Sequence, residues 1–198
     1  MTTGLRERKK LQLRETIAHA AYELFAERGF DNVTVADVAE LAGTSVQTVF
    51  NYFPAKEDLV LNGRRLHEER LLRAIADRPN GMSAIEAARL RTLDAAREFA
   101  ALDPRRAAQF RAIVLNSPAI MARLRARAAA TEAEIAETLA ADAGALPDDP
   151  RPRIVASVLM NLSHLAYAPV ELGPEGVRRR IDQGFALLAD GLGEYGVR

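Results

Sequence analysis

The chain has no cysteine. That excludes disulfide bridges, thiolate nucleophiles and thiolate-held zinc. Its three histidines, His19, His67 and His164, are widely spaced, so an all-histidine metal site is not expected and the sequence implies no cofactor. A glycine-rich phosphate loop and a nucleophile motif are missing too, which argues against an enzyme. No strand-length segment alternates Val, Ile or Thr with polar residues, so no sheet is expected. Long apolar runs are also lacking. The most apolar stretch, 154–170, is interrupted by Ser157, Asn161, Ser163 and His164. A membrane span needs about 20 predominantly apolar residues, so this stretch reads as a buried helix and no membrane partner is expected. No apolar run follows the basic N-terminus, so a secretory signal is not expected and the chain is expected to be cytoplasmic. Finally, neither sign of charge is in excess: 27 Lys+Arg balance 27 Asp+Glu. Nucleic-acid-binding domains are often basic, so the balance weighs lightly against such a partner and the distribution of charge matters more.

What is present is a helical pattern. Hydrophobic residues make up 48% of the 198, enough to fill a real core. Glycine and proline punctuate helical stretches at 11–28, 34–42, 45–53, 54–78, 82–101, 105–116, 119–143, 152–168 and 174–192. The expectation is an all-α fold of about nine helices. Arg6, Arg8, Lys9, Lys10 and Arg14 face only Glu7 before Glu15, so the cationic charge gathers in an N-terminal arm.

The most informative segment is 34–53. Thr34 and Asp37 have capping-box spacing, Val35, Val38, Ala39 and Ala42 make an apolar face, and Gly43 permits a sharp turn. Ser45 caps a second short helix, on which Val49, Phe50 and Phe53 are expected to pack inward. Val46, Gln47, Thr48, Asn51 and Tyr52 are left to face outward. Two short helices joined by a glycine turn are how a helix-turn-helix DNA reader is written. Glutamine can pair with adenine edges, and threonine or valine can touch a thymine methyl. Asn51 and Tyr52 can donate to phosphates, Ser45 and Thr34 start helices whose amides favour phosphate, and Lys56 can reach the DNA backbone. The outward face carries no charge, so phosphate attraction is expected to come mainly from the basic arm.

Ala-Ala-Tyr-Glu-Leu-Phe-Ala-Glu-Arg-Gly-Phe at 20–30, Val-Thr-Val-Ala-Asp-Val-Ala-Glu-Leu-Ala-Gly at 33–43 and Val-Phe-Asn-Tyr-Phe-Pro-Ala-Lys-Glu-Asp-Leu at 49–59 together resemble the N-terminal domain of the tetracycline-repressor (TetR) family. The resemblance covers about a quarter of the chain. It implies a homodimeric, ligand-responsive transcriptional repressor on double-stranded DNA. It also implies that Thr34, Ser45, Gln47, Thr48, Tyr52 and Lys56 are DNA contacts. Many family members have tyrosine where this chain has Phe50, and its hydroxyl often contacts phosphate; here that contact is expected to fall to Tyr52.

The expected domains are 1–53, a helix-turn-helix DNA-binding domain with its basic arm, and 54–198, a helical ligand-binding and dimerisation domain. Val177, Ile181, Phe185, Leu188 and Leu192 form one apolar stripe, and Val155, Val158, Leu159, Leu162 and Leu165 another. Gly184 and Gly191 would allow close helix approach. Two such helices from each subunit would make a four-helix interface. Phe99, Phe110, Met121, Asn161, His164 and Tyr167 are the candidate lining of an effector pocket, since apolar walls with a few polar groups describe most small-molecule sites. The leading expectation is a repressor released from an inverted-repeat operator by a small molecule of unknown identity. The alternative is a ligand-independent dimeric DNA-binding protein.

Overall fold

A computed structural model describes residues 3–102, 104–167 and 172–191. The side chain of Arg6, and Leu192, lie outside the described residues. Among those described there is no strand. The helices run in order as α1 (Thr3–Arg28), α2 (Val35–Leu41), α3 (Val46–Tyr52), α4 (Lys56–Val60), α5 (Asn62–Ala76), α6 (Ala84–Ala100), α7 (Pro104–Asn116), α8 (Pro118–Ala143), α9 (Arg151–Ser163), a 3-10 turn (His164–Tyr167) and α10 (Gly173–Asp190).

Two compact units emerge. The first joins residues 1–64 to 105–124, and the second joins 65–104 to 125–198. The first is built round Ile17, Leu24 and Phe25 of α1, Val38 of α2, Val49 and Phe53 beside and on α3, Leu59 and Leu61, with Val114 and Ile120 added from α7 and α8. The second is built round Leu71 and Ile75 of α5, Ala88 and Leu93 of α6, Ile135 of α8, Leu159 of α9, and Ile181 and Phe185 of α10.

Two boundaries differ from expectation. The basic segment is no separate arm: it forms early turns of α1, with Arg8, Lys9 and Lys10 exposed. Arg14 turns inward, its Nε donating to Asn62 Oδ1 at 3.0 Å and its guanidinium 5.1 Å from the centre of the Phe53 ring. The expected single helix over 54–78 is two, α4 and α5. Leu61 leaves helical geometry (φ −84°, ψ 4°) and is fully buried. It is followed by Asn62 and Gly63, both poor helix formers. Burial of one leucine and capture of Asn62 by Arg14 therefore break the helix where propensity resists least.

The stripes expected to form a dimer face serve chiefly the chain's own core. Leu159, Ile181 and Phe185 are buried in the second unit, and Val155, Leu162, Leu165, Val177 and Leu188 pack against them. A Cβ on Gly184 would sit 2.8 Å from Leu162 Cδ2 and 3.2 Å from Leu165 Cδ1, so this glycine permits close approach within the chain. Gly191 closes α10 in the left-handed region at φ +86°.

Candidate functional site

The reader is held by its caps. Thr34 Oγ1 accepts from the Asp37 amide at 3.1 Å, and Asp37 Oδ2 accepts from both the Thr34 amide and hydroxyl at 2.6 Å. Hydrogen bonds from Thr34 hold the exposed Asp37 carboxyl below its ordinary pKa. Two orphan amides at the start of α2 are thereby satisfied reciprocally. Gly43 adopts φ +64°, where an L side chain would be strained. Its amide returns to Glu40 O and that of Thr44 to Ala39 O. Ser45 Oγ then accepts from the Thr48 amide at 3.0 Å and lies 2.8 Å from Thr48 Oγ1.

On α3, Val49 and the following Phe53 are buried, while Ser45, Val46, Gln47, Phe50 and Asn51 are exposed and Thr48 and Tyr52 are half-buried. Gln47 and Asn51 form the crest, with Gln47 Nε2 donating to Asn51 Oδ1 at 3.2 Å. Helical spacing puts Val46 and Phe50 on one flank and Thr48 and Tyr52 on the other. This corrects the sequence reading of two residues. Phe50 does not pack inward; it is 41% exposed. Tyr52 packs in part against the core. The physical reason is geometric: Val49 and Phe53, four apart, already fill the inward edge of a seven-residue helix, and Phe50 follows Val49 by a third of a turn.

Lys56 also behaves otherwise than expected. Its Nζ donates to Phe30 O at 2.6 Å and sits 4.2 Å from the centre of the Phe30 ring and 5.9 Å from that of Phe25. The ammonium joins the start of α4 to the end of α1. Beyond it, Asp58 accepts from the Ala55 amide at 3.1 Å and receives Arg123 Nε and a terminal Arg123 nitrogen at 2.7 and 2.5 Å. The hydrogen bonds that Arg123 donates to the Asp58 carboxylate raise the pKa of its guanidinium.

The six effector candidates do not gather into one cluster within either unit. Phe110 and Met121 belong to the first, where both pack on the core and Phe110 stacks on Tyr22 with centroids 6.4 Å apart. A recess lined by Tyr22, Phe25, Leu59, Val60, Phe110 and Ile113 has a volume of only 10 Å³, about that of one water. Phe99, Asn161, His164 and Tyr167 belong to the second unit. There Tyr167 meets Phe99 edge-on with centroids 5.2 Å apart. Asn161 is exposed and bonds back to Ser157 O at 2.8 Å, the ordinary behaviour of a polar residue on its own helix, and His164 caps α9.

Tyr167 also meets His67 edge-on at 5.4 Å. His67 and Glu68 are buried on α5, and Arg127 approaches Glu68 at 3.3 Å. Burial lowers the pKa of nearby Arg65, opposed by the charge of Glu69 and aided by that of Arg127. Sequence reading missed this polar centre. A signal existed: Glu68, Leu71 and Ile75 recur at helical spacing, so an acid stands on the buried face of α5. Arg89, by contrast, is consumed by Glu86 and Asp182, and the Glu86 hydrogen bonds raise its pKa further.

No helix of the described residues is long and apolar enough to cross a membrane, and no His/Cys/Asp/Glu group among them could hold a metal ion.

Comparison with known proteins adds the following. Residues 17–62 match the family of bacterial regulatory proteins called tetR, and residues 81–193 match the MftR C-terminal domain. The HTH-type transcriptional regulator TcmR of Streptomyces glaucescens is 30% identical over 161 residues, 78% of this chain and 71% of that protein. Among solved structures, Thermus thermophilus FadR, a TetR-family transcriptional repressor in complex with lauroyl-CoA, is 27% identical with a TM-score of 0.54, covering 93% of this chain and 96% of its own. Salmonella enterica GusR, at 19% identity, shares the fold with a TM-score of 0.59 over 91% and 95% of the two chains.

Proposed function

The chain belongs to the TetR family of DNA-binding transcriptional regulators, and from that premise we propose that it is a repressor released from an inverted-repeat operator by a small molecule. The observation that carries this reading is the capped, uncharged face of α3, which presents Gln47 and Asn51 on a rigid two-helix unit. In this reading α3 lies in the major groove, Gln47 and Asn51 take base edges, and Val46 lies beside them. Ser45, Thr48, Tyr52 and Thr34 stand near the phosphates. Exposed Arg8, Lys9 and Lys10 supply the long-range attraction. Lys56 acts by bracing the reader, because its ammonium is already engaged with Phe30. The DNA-binding domain is taken as 1–53 and the remainder as the effector and dimer domain, although the compact unit around the reader also takes in 54–64 and 105–124.

A homodimer follows from the geometry of inverted repeats, whose half-sites lie about 34–36 Å apart for a helix-turn-helix pair. Ile154, 59% exposed on α9, and half-buried Val158 one turn on are the apolar residues this reading assigns to the interface. Effector binding is assigned to the second unit, at Phe99, Tyr167, His67 and the Glu68–Arg127 pair, in a cytoplasmic protein. The lauroyl-CoA held by the Thermus thermophilus relative supports a small-molecule effector in general. The effector would act by preferring the form that cannot hold DNA, which shifts the population away from the operator.

Ligand-independent DNA binding is the second reading. It differs in having no effector, so operator binding would be unchanged by any small molecule. A mobility-shift assay on the DNA upstream of the chain's own gene tests the primary reading. Binding to an inverted repeat at low salt, weakened as salt rises, is expected; no binding to any inverted repeat would refute it.

A further inference from the structure

We infer that Phe50, with Val46, forms an apolar flank of the reading helix that recognises thymine methyl groups, and that Phe50 is thereby a specificity-determining residue. The inference rests on the DNA-reader reading and deepens it. Val46 and Phe50 are 39% and 41% exposed. They lie four residues apart on α3, so their side chains are neighbours on one face. The inward edge is already closed by Val49 and Phe53, both essentially inaccessible, so the core does not need the Phe50 ring. The crest beside it is polar and internally bonded through Gln47 and Asn51, and no charged side chain lies between Ser45 and Tyr52.

An exposed phenyl ring in this place has few complements. It has no hydroxyl, so it cannot donate to a phosphate. The major groove is lined by hydrogen-bonding edges, and the C5-methyl of thymine is the apolar group that base pairs present there. A valine and a phenylalanine on one flank of a groove-facing helix therefore match thymine, while the opposite flank, Thr48 and Tyr52, carries hydroxyls. The face is two-sided, with apolar contact on one side of the Gln47–Asn51 crest and hydrogen bonding on the other.

The test uses the full chain. Bound duplexes are selected from a random pool, and each thymine of the selected site is replaced singly by deoxyuridine, which deletes only the methyl. One thymine in each half-site should prove sensitive, losing about fourfold in affinity, the value of one buried methyl-sized group. In Phe50→Ala that sensitivity should vanish at the same position while the rest of the site preference remains, and in Phe50→Leu it should persist. Thermal melting of both variants reports that the fold is kept. Equal binding of thymine and deoxyuridine duplexes at every position would overturn the inference. So would a sensitivity that survives in Phe50→Ala. Failure to select any site would instead overturn the DNA-reader reading beneath it, so the two failures are distinct.

Discussion

The two compact units bury polar groups to different ends. In the first, each buried polar side chain ties one helix to another: Asp58 holds Arg123 of α8 in two hydrogen bonds, and Asn62 accepts from Arg14 of α1. In the second, a fully buried glutamate faces Arg127 at 3.3 Å, beside a buried histidine and a pair of edge-on aromatic contacts. Short paired hydrogen bonds to a buried carboxylate specify one geometry, whereas a longer charged contact constrains it less.

Substitutions can break or sharpen that contrast, and the largest effect lies in the core beneath the reader. Phe53→Ala removes an almost inaccessible ring against which Arg14 also rests, and should cost about 3–5 kcal/mol in urea denaturation. Asp58→Ala should cost about 2–3 kcal/mol, because the Ala55 amide and Arg123 both lose their acceptor. Glu68→Gln should cost less than about 1 kcal/mol, since an amide oxygen still accepts from Arg127. Equal losses from Asp58→Ala and Glu68→Gln would break the contrast between the units.

Glycines sharpen it at a smaller scale. A Cβ at Gly43 meets nothing within 4 Å, so the cost of Gly43→Ala arises from its φ of +64° alone. That cost should be about 1–2 kcal/mol, read as a lower thermal midpoint. The smallest effect is electrostatic. Asp37 has a lowered folded pKa because Thr34 bonds its carboxylate. Its contribution is therefore fully present above the unfolded carboxylate pKa and is lost as pH falls through the lower folded value. Asp37→Asn should flatten that acid limb in a series of thermal melts taken across it.

The reader was legible in sequence because it is local. Its caps, its glycine turn and its apolar face lie within 20 residues, and each part has one physical reading. What stayed hidden depends on partners distant in sequence. Phe50 looked like core until Val49 and Phe53 were seen to fill the space. Lys56 looked free until the Phe30 carbonyl stood beside it. The apolar stripes of α9 and α10 were expected to form a dimer face, and periodicity does not say whether the covering surface is the same chain or a second copy. The six effector candidates were chosen by residue type. They separated because Phe110 and Met121 lie on segments that fold with α1 and α4, which no pattern within those segments reports. The belonging of the chain to a helical regulator family needed only the motifs, whereas the polar centre at Glu68 needed the fold, although its place on the apolar face of α5 was visible.

The central claim is that the outward face of α3 reads sequence. It is tested most directly by measuring the affinity of the wild-type chain and of Gln47→Ala for a selected inverted repeat and for a scrambled duplex at one fixed salt concentration. The account predicts a strong preference of the wild type for the repeat. It predicts that Gln47→Ala loses about 1–3 kcal/mol of that discrimination while binding the scrambled duplex as before. A wild-type chain that binds both duplexes equally, or a Gln47→Ala variant that keeps the full preference, would contradict it.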